Sequence, residues 1–179
     1  MINKDFIRLI QVQVAELAIG ASTLRNQGGS GLIASARAFF KSIDLAGLGS
    51  LTSEGFSNFL DKATDDLKNQ FPEGARNWGA ARKAINLFLR DAFYNRYLFD
   101  HYKLAPIEQF LEVPLDRDVA TNLCALATQY GKSLPKWESI KMLDSDDSCM
   151  YQEVASKYAK EKNLARVHLD LLFWRKETK

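Results

Sequence analysis

NWGAARKAINLFLRDAF, residues 77–93, is the stretch that decides the fold class. Ala81, Ala84, Ile85, Phe88, Leu89, Ala92 and Phe93 recur at three- and four-residue intervals, the period of a helix burying a wide apolar stripe. The pattern predicts a helix running from Trp78 on to Leu98. The same period continues on both sides. Upstream, Phe6, Ile10, Val14 and Leu17 mark one helix, with Ile7 and Ala18 beside them. A second starts near Ser30 and runs through LIASARAFFKSI. A third covers TSEGFSNFLDKATDDLKNQ, with Thr52 or Ser53 as N-cap and Phe56, Phe59, Leu60 and Leu67 facing inward. Downstream, KLAPIEQFLEVP reads as a short helix between two prolines. Val119, Leu123, Leu126, Ala127 and Tyr130 place another helix after Leu115. Asp144 or Ser145 caps a further one, expected to bury Met150, Val154, Ala155 and Tyr158. Val167, Leu169 and Leu171 alternate as in a strand, but nothing else in the chain offers a sheet, so the tail reads as helix, with Phe173 and Trp174 completing the core. The expectation is an all-α fold, a single domain over residues 1–179.

Composition narrows the class. Of 179 residues, 46% are apolar and 26% charged, with a formal charge of +2, the balance of a soluble globular protein. Two cysteines, Cys124 and Cys149, are too few for a four-thiolate metal site or a disulfide framework, which fits a reducing compartment. Lys4, Asp5, Arg8 and Glu16 interrupt the first apolar stretch, so it does not read as a signal peptide. No apolar run approaches membrane-spanning length. A cytoplasmic protein is expected, with no membrane partner, no protein partner evident and no cofactor. The two histidines, His101 and His168, build no metal constellation, although His168 and Asp170 stand two apart and could share a pocket.

Two motifs carry chemistry. In the first, Gly79 precedes the basic pair Arg82 and Lys83 at the start of an apolar helix. Free N–H groups and a positive dipole end make such a start an anion site, with Gly79 permitting close approach of a phosphate. The plain alternative is an ordinary helix start. The second is LEVPLDRDVATNLC, residues 111–124. Pro114 biases its predecessor toward extended structure, and Asp116 follows where an N-cap belongs, able to accept from the N–H groups of Asp118 and Val119. Asp116 is therefore either a cap or a catalytic acid.

Together, GAARKAINLFLRDAF and VPLDRDVATNLC resemble the helix–hairpin–helix superfamily of DNA glycosylases, the group of endonuclease III and 8-oxoguanine glycosylase. The likeness spans about residues 18–130 and includes Asn86 early in the helix. It departs from the family at Ala81, where a second hairpin glycine is usual, at Trp78 and Asn77 before the hairpin, and at Asp118, where a histidine is common. The segment 94–112 is an insertion, and the iron–sulfur cysteines are absent. The resemblance implies a compact multi-helix glycosylase domain that flips a modified or damaged base out of double-stranded DNA and cleaves its N-glycosidic bond. It implies Asp116 as the carboxylate beside the sugar and Lys83 as a Schiff-base nucleophile in a glycosylase that also nicks the strand, its deprotonation favoured by burial or by Arg82. DNA contacts are expected from Arg25, Asn26 and Gln27 in the polar loop, and from Trp78, Gly79 and Arg82. The loop also reads as a plain Gly-rich turn, Lys83 as a solvated lysine, and the aromatic and basic residues of 94–102 as a partly buried helix face.

Repair and attack on hypermodified phage DNA fit equally. Two other readings stand beside the first: a hydrolase of modified nucleosides or nucleotides, and a non-catalytic helical module that binds DNA or protein.

Overall fold

The computed structural model describes residues 3–24, 26–28 and 30–174. Within them there are eight α-helices and no strand. They are α1 (Lys4–Ala18), α2 (Leu32–Ser42), α3 (Ser53–Gln70), α4 (Trp78–Tyr94), α5 (Arg96–Tyr102), α6 (Arg117–Gln129), α7 (Ser145–Glu161) and α8 (Leu169–Trp174). Short side chains start most of them. Thr52 accepts from the Gly55 N–H, Asn77 from Ala80 and Asp144 from Asp147. Each such cap contributes about 1 kcal/mol. No described helix is long and apolar enough to cross a membrane.

Three expectations about faces and ends are corrected. The helix expected from Trp78 to Leu98 breaks at Asn95, which adopts an extended conformation. Its side chain accepts from the N–H groups of Tyr97 and Leu98 and so starts α5, the competition with helix that makes asparagine a cap. On α1 the buried face is Ile7, Gln11, Val14, Ala15 and Ala18, while Phe6 and Leu17 are exposed. Gln11 goes inside because its amide donates to the Phe40 and Ile43 carbonyls at the end of α2, both at 2.9 Å. At the other end of the chain Met150 and Trp174 are exposed. On α7 the buried positions beside Met150 are Tyr151 and the paired polar side chain of Gln152.

The core has two parts. The first gathers α1 to α5 around α4, whose Phe88 stacks on Phe40 at 4.5 Å between centroids. Each such buried phenyl contributes about 1.5–3 kcal/mol. The second gathers α6, α7 and α8, with Val113, Leu115 and Leu143; Trp78 packs against it from α4. The chain passes from one to the other through the extended segment at residues 111–116. That segment has no strand to pair with, so side chains satisfy its backbone. Arg166 donates to the Phe110 and Leu111 carbonyls, both at 3.0 Å. Gln152 both donates to the Val113 carbonyl at 2.8 Å and accepts from its N–H at 3.1 Å. Pro114 comes next and has no N–H to satisfy.

Candidate active site

α4 is buried on most sides: Ala80, Ala81, Ala84, Ile85, Asn86, Phe88, Leu89 and Ala92 all lie in the interior. Its less buried stripe is Lys83, Leu87, Arg90 and Tyr94, spaced i, i+4, i+7 and i+11. Along that stripe the helix meets polar groups carried by the C-terminal half of the chain.

At its head, the Lys83 Nζ lies 3.5 Å from Asp116 Oδ2, across 33 positions of sequence. The amine is 15% exposed and the carboxylate 38%. The other oxygen of Asp116, Oδ1, accepts from the Asp118 and Val119 N–H groups at 3.0 Å each, which makes Asp116 the N-cap of α6. Oδ1 is held by the helix start, as the cap reading expected, and Oδ2 is turned to the amine.

Two turns further along α4, Arg90 contacts Asp170 of α8 and also holds Asp91 at 2.8 Å. Burial pushes the Asp170 carboxyl above its ordinary value; Arg90 and Lys83 oppose that and Asp116 reinforces it. Asp170 therefore stands in electrostatic reach of both Lys83 and Asp116. At the end of the stripe the Tyr94 hydroxyl and His168 Nδ1 share a hydrogen bond of 2.7 Å, and His168 Nε2 lies 2.8 Å from Glu108. The short spacing of His168 and Asp170 was the one sequence signal for this group. Arg90 carried none, because an arginine inside an apolar helix looks the same whether or not a partner faces it.

Arg82, adjacent to Lys83, points elsewhere. Its guanidinium makes a two-pronged bond to Glu112 at 2.9 Å and reaches Asp61 at 2.9 Å and Thr64 at 3.1 Å. Asn86 also donates to Glu112, at 2.9 Å. Burial alone would raise the Glu112 carboxyl, but the charge and hydrogen bonds of Arg82, with Arg166 and Asn86, outweigh it and hold it below its ordinary value. The expected role of Arg82 in easing deprotonation of Lys83 is corrected accordingly: its charge is spent on Glu112 and Asp61, and the groups around Lys83 are carboxylates.

The expected DNA contacts are also relocated. Gly79 is no open phosphate cradle. A Cβ there would collide with the Ile140 carbonyl, because the loop before α7 lies against this turn of α4. The N-terminus of α4 is already occupied by the Asn77 side chain. Arg82 is buried, and Trp78 is half-buried with the Arg82 guanidinium 5.2 Å from its ring centre. In the polar loop, Asn26 is exposed with a positive φ of 61°. Gln27 is buried, so it does not stand out toward a duplex. Arg25 lies outside the described residues. The loop does sit beside the α3–α4 turn: the Gly28 backbone packs against the Gly74 carbonyl.

An amine, a capped carboxylate and a partly buried second acid at a seam between two core clusters can perform acid–base and nucleophilic chemistry on a cationic or carbonyl-like centre. No protein family, curated protein or solved structure was found to match this chain, so the site's geometry stands as its own description.

Proposed function

We propose that this protein is a DNA N-glycosylase with an associated strand-nicking activity, acting on a modified or damaged base. The observation that carries the reading is the approach of Lys83 to Asp116. In this mechanism the base is turned out of the duplex toward the seam. The glycosidic bond breaks as the sugar gains oxocarbenium character, which Asp116 Oδ2 stabilises from a distance fixed by the cap at Oδ1. Lys83, after passing a proton to Asp116 Oδ2, forms a bond to C1′ as the bond from C1′ to the base nitrogen breaks, and the departing base takes up that proton. Ring opening then gives a protein–DNA Schiff base and releases the ring oxygen as a hydroxyl.

The test is borohydride trapping on a panel of duplexes carrying altered bases. A covalent adduct is expected with the wild-type chain and with Arg117→Ala, and none with Lys83→Gln. Base release without any trapped adduct would remove Lys83 as nucleophile; absence of base release across the panel would sink the reading.

One observation favours a second substrate class. The closed turn at Gly79 offers no backbone phosphate grip, which suits a free nucleoside or nucleotide with an unusual base. Release of base from such nucleosides, with no salt-dependent binding to duplex, would select that reading.

A further inference from the structure

A pocket of about 550 Å³ lies on another side of α4 from Lys83, between α3 and α7. That volume is within the range of small-molecule sites. One whole face of α7 lines it, at Ser145, Ser148, Gln152, Ser156 and Lys160. This face is polar, whereas the opposite face, with Tyr151, Val154 and Ala155, packs into the second core cluster. Trp78 and Arg166 also line it, together with the acids Asp61, Glu112 and Glu153.

Two observations point to a ligand. The first is Ser148. It is only 3% exposed, yet its hydroxyl makes no hydrogen bond with any described residue. Four other helical hydroxyls, those of Ser42, Thr64, Thr121 and Thr128, fold back on the carbonyl four residues earlier. The Ser148 hydroxyl instead borders the pocket, where it is free to bond a ligand.

The second is Arg166. It is partly buried and binds only neutral groups: two carbonyls and, at 3.4 Å, the Ser156 hydroxyl. The nearest full anion, Glu112, already carries the two-pronged bond from Arg82. Burial lowers the proton affinity of the Arg166 guanidinium, partly offset by Glu112. A partly buried cation that shares its nearest acid with a second guanidinium is a favourable place for an anion. Lys160 adds a second cation at the same end, and no described acid forms an ion pair with it.

We propose that this pocket binds a nucleoside monophosphate, with the phosphate between Arg166 and Lys160, the Ser148 hydroxyl bonded to the ligand, and the base against Trp78. The site is separate from Lys83 and Asp116, neither of which lines it, and the proposal does not depend on the glycosylase reading.

The test is titration calorimetry of the full chain with AMP, GMP, CMP and UMP, with inorganic phosphate and adenosine as separate arms. Saturable binding of at least one nucleotide is expected, about tenfold or more tighter than either fragment. Lys160→Gln should weaken it about tenfold. Ser148→Leu, which fills the pocket, should abolish it, with a thermal melt verifying that the variant folds; Ser148→Ala serves as the milder second variant. Lys83→Gln should leave binding unchanged. The proposal fails if no nucleotide binds, if phosphate alone binds as tightly, or if Lys83→Gln abolishes binding while the Ser148 and Lys160 variants retain it.

Discussion

Asp116 is held to the start of α6 by one oxygen and faces Lys83 with the other, so the cap and the proposed catalytic role are separable by substitution. Asparagine is as good an N-cap as aspartate, and alanine costs about 1 kcal/mol. Asp116→Asn should therefore melt within a few degrees of wild type while base excision falls by about two orders of magnitude or more. Asp116→Ala should lose both. Equal loss of excision and of thermal stability in Asp116→Asn would reduce the residue to a cap.

Gly79 is required by close approach and not by its dihedral angle. Gly79→Ala forces the loop at Ile140 away from α4, and strain of this kind costs about 1–3 kcal/mol. Urea unfolding should show the lowered midpoint. An unchanged midpoint would mean that the loop yields freely.

The Arg82–Glu112 pair should give a pH-dependent stability. The Glu112 carboxyl is held below its ordinary value in the folded state. Its contribution is then complete above the ordinary glutamate range, about pH 4.3, and is lost as pH falls through the lowered folded value. Glu112→Gln leaves two buried guanidinium groups short of charge and should cost about 3–5 kcal/mol at pH 7. The gap to wild type should close below about pH 4. A gap independent of pH would assign the loss to packing.

Asp170 has the opposite sign. Its carboxyl is raised, burial being the largest cause. The folded state therefore binds that proton more readily, and lowering the pH through the raised value stabilises the fold. Arg90→Leu removes the main opposing charge, so the Asp170 value should climb further, as read by carboxyl carbon NMR. The variant should lose about 3 kcal/mol at pH 7 and less at pH 4. A titration unmoved by the substitution would show that Arg90 and Asp170 do not interact in solution.

The helical period was legible because apolar spacing is a local property. It located α2, α3, α6 and α7 and the cap at Asp116. The face of α1 was misread because a buried Gln11 with two carbonyl partners cannot be told from a surface glutamine by spacing. The break at Asn95 was missed because its side chain, and not the apolar pattern, ends the helix. Lys83 and Asp116 were singled out by their places at two helix starts, and the resemblance to known motifs supplied their catalytic roles. Arg90 and the Arg82–Glu112–Arg166 network depend on contacts between distant segments, which one sequence does not record.

The division of the core has a kinetic reading. Lys83 rides on a helix of the first cluster, whereas Asp116 and Asp170 belong to elements of the second. A local opening that parts the two clusters at residues 111–116 would strip the amine of both acids in a single event. Amide hydrogen exchange would register that event as a shared opening rate for α6 and α8, distinct from the slowest-exchanging amides of α4.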